Sequence, residues 1–421
     1  MIKLLLHKSQ FLNYISILDS NTKSNQNSLP NDYINYDLIA GVDALDVINV
    51  DSDSFNSLQN FHEKHSDWLF GYLSYDLKNE VEHLTSHNKQ GINAASLSFF
   101  VPKYVLLLKG DILEIQSYEN KQDCQQFLDD QHLDWKEKKN CVQLTQRDTK
   151  VKYLEKIEVI KKHIQRGDIY ELNYCQEFFS EQVMLSPQHV FQQLNKNSKS
   201  PFASFLKLND LNIMCASPER FIKKSKNQII SQPIKGTRKR GKDLDEDNVL
   251  RKELIDSEKE ISENVMIVDL VRNDLSITAC KASVKVDELC GIYTFKKVHQ
   301  MISTVSSKVD DKTNFSQILK SVFPMGSMTG VPKLRAMEII EELEEFKRGI
   351  FSGAIGYITP KGDFDFNVVI RTILYNSSSK YLSVAVGGAI TIKSDADEEY
   401  EECLVKVRPI FEVLNFQFDE K

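Results

Sequence analysis

The sequence has no Cys-x-x-Cys pair: its seven cysteines, at 124, 141, 175, 215, 280, 290 and 403, are scattered and odd in number. That excludes a zinc ribbon and a disulfide framework and predicts free thiols in a reducing cytoplasm. No apolar run approaches the roughly 20 residues that a membrane-spanning helix needs. The opening MIKLLLHKSQF is too short an apolar stretch for a signal peptide and no small-residue cleavage site follows it, so a cytoplasmic location is expected. An excess of positive charge is lacking too. The 53 Lys and Arg against 60 Asp and Glu leave a net charge of −7, the wrong sign for a general nucleic-acid binder. There is no internal repeat and no coiled-coil heptad. The glycine loop at 326–330 lacks the Gly-Lys-Ser/Thr of a Walker A site, and no parallel βαβ unit surrounds it to make a Rossmann fingerprint.

What is present is a 421-residue chain with 41% hydrophobic and 27% charged residues, the balance of a soluble globular protein with a sizeable core. A polar Asn/Ser-rich loop is expected at 19–32. WLFGYLSYDL (68–77) and LSFFVPKYVLLLKGDILEIQSY (97–118) read as strands, with KGD as a turn. The polar, partly helical stretch 119–140 is the expected boundary between an N-terminal region (1–140) and a second region (148–416). In KVKYLEKIEVIKKHIQRGD (150–168), Leu154, Ile157, Ile160 and Ile164 fall at helical spacing and Gly167 stops the helix. Residues 350–375 read as strand, turn, strand, and 381–391 as a third strand, which together imply an antiparallel meander. An acidic amphipathic helix follows from about Asp395. Long helices interleaved with antiparallel hairpins place the chain in the α+β class.

Two glutamate pairs, Glu260 with Glu263 and Glu399 with Glu402, have i,i+3 spacing, which on a helix puts both carboxylates on one face. One carboxylate from each helix, with its neighbour behind it, would suit a hard divalent cation; a solvated acidic face gives the same spacing. Lys406 lies one turn beyond Glu402. FPMGSMTGVPKLRAMEIIEELE (323–344) runs a Gly-x-x-x-Gly loop into Pro332 as the first helical residue, and such a loop offers bare N–H groups to an anion or is a plain tight turn. Arg371 falls inside FNVVIRTIL, either at a sheet edge or as a buried carboxylate clamp. VGGAIT (386–391) puts two glycines in a strand, where backbone can approach a ligand. Glu219 sits behind Ser-Pro at a strand end, and alone reads as a surface acid. Lys235, in SQPIKGTRKRG, is on the residues alone a solvated charge in a basic loop, and that loop alone is also compatible with an RNA-binding module.

In order along the chain stand SPERFI, QPIKGTRKRG, ENVMIVDLVRNDL, HQMISTV, GSMTGVPKLRAMEII, RGIFSGAIGY, VVIRT and EEYEECLVKV. This series resembles the chorismate-utilising anthranilate synthase and aminodeoxychorismate synthase component I family over nearly all of 150–410, and FGYLSYDLKNEVE (70–82) resembles its N-terminal region more weakly. The resemblance implies a large antiparallel-sheet sandwich with surrounding helices and a Mg²⁺-dependent reaction on chorismate. It implies that Glu263 and Glu402 hold the ion with Glu260 and Glu399 close behind, and that Arg371 takes the pyruvyl carboxylate, helped by Thr329, Gly330, Gly387, Gly388 and Lys406. Glu219 becomes the general acid. Lys235 becomes the nucleophile, because the aminodeoxychorismate branch carries lysine where anthranilate synthases carry alanine. Burial and the cations Arg238, Lys239 and Arg240 are expected to lower its pKa, with the carboxylates pushing back. Ala389 and Gln300 depart from the family pattern, standing where a glycine and a histidine are usual. No cysteine has the setting of a glutamine amidotransferase nucleophile, so ammonia is expected from a separate amidotransferase subunit. The rival within the family is an anthranilate synthase large subunit, which eliminates pyruvate; a water-using isochorismate or salicylate synthase is a third.

Overall fold

The computed structural model describes residues 1–22, 34–129 and 142–418. Most of the polar loop expected at 19–32, and the later part of the boundary stretch expected at 119–140, lie outside the described residues. The earlier part of that stretch holds the helix Lys121–Asp129.

Nineteen strands form the sheet of the described residues, and every ladder within it is antiparallel. Its main path begins at Glu171–Ser180 and passes through Tyr381–Ile390, Thr372–Asn376, Leu211–Ser217 and Phe202–Leu208. It continues through Tyr14–Asp19, Leu38–Val50, Leu97–Lys109 and Leu69–Leu73. Ala354–Ile358, Phe364–Asn367, Arg220–Ser225, Gln228–Gln232 and Val298–Lys308 complete it. The N-terminal strands therefore occupy the middle of the path, and pairing crosses the 119–140 stretch twice.

Side-chain alternation sorts the core into two layers. On Leu211–Ser217, Ile213 and Cys215 join Phe70, Phe99 and Phe366 in one apolar cluster. Their neighbours Met214 and Ala216 join Tyr153, Phe191 and Phe411 in the other. Helices Lys150–Arg166, Pro187–Ser198 and Ala396–Leu414 cover the second cluster; Ser54–His65, Glu258–Ser276 and Phe315–Val322 pack into the first. The fold is thus mixed α+β, built on a large folded-over antiparallel sheet with helices around it.

Local signals act as their chemistry dictates. Thr149 caps Lys150–Arg166 by accepting from the Lys152 N–H, and Gly167 ends it in the left-handed region at φ 83°. Ile157 and Ile160 are buried as the spacing predicts, but Tyr153 and His163 take the inner positions expected for Leu154 and Ile164. The turn at Gly110 joins Leu97–Lys109 to Ile112–Ser117. The expected three-strand meander is corrected to two separate hairpins. Ala354–Ile358 pairs with Phe364–Asn367, whereas Thr372–Asn376 pairs with Leu211–Ser217 and Tyr381–Ile390. The chain breaks between them at 368–371, alongside a matching break at 218–219: the Val368 N–H donates to the Glu219 carbonyl and the Ala216 N–H to that of Arg371.

A buried ion pair ties the strand Glu171–Ser180 to the loop around Met328. Arg348 donates to Glu344 at 2.6 Å with both side chains 1% exposed, and also to the carbonyls of Met328 and Asn173, while Glu344 accepts from the Cys175 N–H. Glu344→Ala strands the guanidinium without its counter-charge. It should cost about 3–5 kcal/mol, read as a lower urea midpoint; an unchanged midpoint would show that the pair is dispensable.

Candidate active site

The strand Glu171–Ser180 opens four residues after the helix stop at Gly167, and its first residues pair with a short strand, Gly330–Val331. A Cβ on Gly330 would meet the Glu171 carbonyl oxygen at 2.2 Å, so only glycine allows this approach. The preceding loop is held from several sides. The Asn173 N–H donates to the Thr329 carbonyl at 2.7 Å, Asn173 Nδ2 to the Ser327 carbonyl at 3.0 Å, and Arg348 to that of Met328 at 2.7 Å. Thr329 is fully buried and its hydroxyl donates back to the carbonyls of Met325 and Gly326, which spends it on the loop's own shape. Pro332 is the N-cap of the helix Lys333–Leu343 and stands one place outside it, a shift from the expected first helical position.

Lys235 lies near the start of the strand Ile234–Lys239, where the ladder to Val298–Lys308 slips between Ile234 and Thr237 and Gly236 has φ 92°. That irregularity is a bulge, and bulges re-aim side chains. The side chain is 9% exposed, and Nζ donates to Glu171 Oε1 at 2.7 Å. Burial disfavours the ammonium charge, but Glu171, Glu263 and Glu219 outweigh it and hold the group above the ordinary lysine value. The expected lowering of its pKa is therefore corrected. The reason is that the neighbouring cations are already matched: Arg238 pairs with Glu260 at 3.1 Å, Arg240 with Asp247 at 2.7 Å, and Lys239 is exposed.

Glu171 escaped the sequence reading. Its only signal is a charge opening the strand ELNYCQEFFS, and its Oε2 atom has no hydrogen-bond partner among the described residues. Glu219 is not the surface acid that its context suggested. It is 5% exposed, bonded to Ser327 and the Ile234 N–H, and burial pushes its carboxyl up to about 7 against the pull of those bonds and of Lys235.

Both glutamate pairs lie on helices, Glu260 and Glu263 on Glu258–Ser276 and Glu399 and Glu402 on Ala396–Leu414. Within each pair the two carboxylates are treated differently. Glu260 is taken by Arg238, and Glu399 by Lys259 at 3.1 Å and the Ser394 hydroxyl at 2.8 Å. Glu263 is buried with Oε1 unpartnered among the described residues, and burial raises its carboxyl to about 7 despite Lys235. Glu402 is 48% exposed and bonded to Lys406 at 2.6 Å, which holds its carboxyl below the usual range. Among the described residues no three His, Cys, Asp or Glu side chains converge as a ready-made metal cage. The bare Glu263 oxygen and the accessible Glu402 carboxylate fit a hard cation that keeps water in its other positions.

Gly387 and Gly388 pair with Cys175 and Tyr174 across the sheet, and Lys406 Nζ donates to the Gly387 carbonyl at 3.0 Å. A Cβ on Gly388 would stand 3.3 Å from Glu399 Oε2, 3.6 Å from Lys406 Nζ and 3.9 Å from Glu402 Oε1, so the bare glycine face opens toward that charged cluster. Ala389 continues the same strand opposite Asn173, and Gln300 is buried between Thr237 and Tyr293. Arg371 is not within a strand; it sits in the break before Thr372–Asn376 at φ 52°, half-buried, where desolvation lowers its pKa. It makes no ion pair among the described residues, which leaves a desolvated guanidinium available to an anion. The structure thus gathers Lys235, Glu171, Glu219 and Glu263 around the 326–331 loop, with Lys406, Glu402, Glu399 and Gly388 beside them, and sets Arg371 next to the 216–219 break.

A family model described as chorismate binding enzyme matches residues 25–412. Aminodeoxychorismate synthase component 1 of Salmonella typhimurium is 39% identical over 266 residues, covering 63% of this chain and 58% of that protein. The chain therefore spans less than two thirds of that relative's length. The protein of the same name from Escherichia coli is 34% identical over 347 residues, covering 82% of this chain and 76% of its own. The crystal structure of anthranilate synthase component I from Streptococcus pneumoniae superposes with a TM-score of 0.79 at 23% identity, over 88% of this chain and 91% of that one, a likeness of fold.

Glu219 binds its proton more tightly folded than unfolded, so the stability it contributes is full below the ordinary value of 4.5 and is lost as pH rises through about 7. Glu219→Gln abolishes that loss. Relative to wild type, the variant should gain about 3 kcal/mol between the two ends of this window, measured as diverging urea midpoints. Parallel curves would refute the raised carboxyl.

Proposed function

This chain belongs to the chorismate-binding enzyme family, and on that premise we propose that it aminates chorismate with ammonia to 4-amino-4-deoxychorismate, the precursor of p-aminobenzoate and folate. The observation that carries the reading is a lysine amine held at Lys235, out of water and bonded to a carboxylate, beside a second carboxyl, Glu219, that burial keeps partly protonated near neutral pH. An amine nucleophile and a general acid are the two groups that displacement of a ring hydroxyl requires.

Arg371 binds the pyruvyl carboxylate, and Lys406 with the backbone of Thr329, Gly330, Gly387 and Gly388 lines the rest of the dianion's site. Glu263 and Glu402 would hold Mg²⁺, with Glu260 and Glu399 behind them fixed by Arg238 and Lys259. When bound, the ion supplies neutralisation of the ring carboxylate. Lys235 attacks C2 of the ring, the double bonds shift, and the 4-hydroxyl departs as water with the proton of Glu219. Ammonia then adds at C4 and the shift reverses, expelling the lysine. The ammonia comes from a separate glutamine amidotransferase subunit, a reading supported by the words component 1 in the relatives' names, and the pair works in the cytoplasm.

Incubation with chorismate, Mg²⁺ and ammonium should give a product with the mass of 4-amino-4-deoxychorismate. Fluorescent anthranilate instead would assign the chain to the pyruvate-eliminating reaction. Lys235→Ala should lose at least about a hundredfold in turnover with chorismate affinity within about tenfold; wild-type turnover would remove the nucleophile. Glu263→Gln and Glu402→Gln should each weaken Mg²⁺ binding by more than about tenfold, as titrated calorimetrically, and normal binding in either would break the ligand assignment.

A further inference from the structure

An amine nucleophile needs somewhere to leave its proton. The ammonium of Lys235 is charged at rest, and among the described residues the carboxylate within ion-pair distance of Nζ is Glu171. That carboxylate is 1% exposed, and its second oxygen, Oε2, is buried with no hydrogen-bond partner among those residues. A buried carboxylate with one bare oxygen is poorly stabilised as an anion by anything except the lysine it faces. Passing the proton across the 2.7 Å bond turns two desolvated charges into two neutral groups and frees the amine. The backbone of Glu171 is also pinned, because the Tyr170 N–H donates to the Val331 carbonyl at 2.7 Å and Leu172 pairs with Gly330.

We propose that Glu171 is the positioning residue of the nucleophile: it takes the Lys235 proton before attack, keeps it while the lysine is bonded to the ring, and returns it on release. The inference rests on the amination reading and adds a residue to it. The protons and electrons balance. Lys235–NH₃⁺ and Glu171–COO⁻ become amine and acid. The N–C2 bond forms, the C4–O bond breaks, and Glu219 gives its proton to the departing oxygen, leaving a secondary ammonium and a Glu219 carboxylate. Ammonia then bonds to C4, the C2–N bond breaks with its electron pair returning to Lys235, and Glu219 recovers a proton from the new C4 ammonium. Glu171 reprotonates the free lysine.

Other charges face this pair from the packed elements: Glu263 from Glu258–Ser276, Glu219 from the 218–219 break, and Glu402 and Lys406 from Ala396–Leu414. None of them is within ion-pair distance of Nζ, and Glu219 is committed to the leaving group.

The test follows adduct formation at Lys235 by intact mass, with chorismate and Mg²⁺ but no ammonia, alongside steady-state kinetics across pH. Wild type should show an adduct rate that falls from about pH 7 to 9 with the loss of the Glu219 proton alone, because the Lys235–Glu171 pair keeps its one proton to itself. In Glu171→Gln the lysine must lose its proton to solvent. The rate should fall about a hundredfold near pH 7.5, and its ratio to the wild-type rate should climb by up to about tenfold per pH unit, with KM for chorismate within about threefold. A Glu171→Gln profile parallel to wild type, or an equal loss at every pH, overturns the inference. So does a wild-type rate that fails to fall over that range, which needs no variant to fold. If wild type forms an adduct and only these profiles fail, amination through Lys235 stands without Glu171. If wild type forms no adduct, the reading and the inference fall together.

Discussion

A lysine and a glutamate, 2.7 Å apart and nearly out of water, set the terms for everything around them. A buried pair of this kind is expensive to assemble, because both ions lose their hydration and only close geometry restores the loss. The fold supplies that geometry from distant parts of the chain. Lys235 comes from a bulged strand and Glu171 from the first residue of a strand locked against Gly330–Val331. Neither position tolerates drift, since the Gly330 approach leaves no room for a side chain and the Glu344–Arg348 pair clamps the same strand edge a few residues further on.

The same accounting explains the glutamates on the two long helices. Each helix presents two carboxylates on one face, and each gives its first to a basic side chain. What remains is Glu263, buried with a bare oxygen, and Glu402, reached by solvent and Lys406. Division of labour within an i,i+3 pair lets one carboxylate anchor the helix to its surroundings while the other stays free for chemistry. Arg371 stands apart in charge as well as in place: it is desolvated and has no acidic partner among the described residues, the condition of a side chain reserved for an incoming anion.

Much of this was legible from residue order. The helix closed by Gly167, the hairpin turning at Gly110 and the two glutamate helices follow from periodicity and capping, which are local. What escaped depends on pairing across long separations. Arg371 looked like a strand residue because FNVVIRTIL is β-rich, but the chain must bend there to pass between hairpins, in step with the bend at 218–219. The order of residues points to a lowered Lys235 pKa because Arg238 and Arg240 adjoin it in sequence, whereas in space they belong to Glu260 and Asp247. Glu171 carried no pattern at all, because its meaning comes entirely from a lysine on another strand.

The N-terminal strands lie mid-sheet, between Phe202–Leu208 on one side and Ala354–Ile358 on the other. A ribosome releases Leu69–Leu73 long before Ala354–Ile358 exists to cover its open edge. Nascent chains of this protein must therefore carry an unpaired, apolar β-edge through most of translation, a state that folds slowly and invites self-association. Chaperone capture during synthesis, and poor recovery of C-terminally shortened chains, are built into the order in which the sheet is laid down.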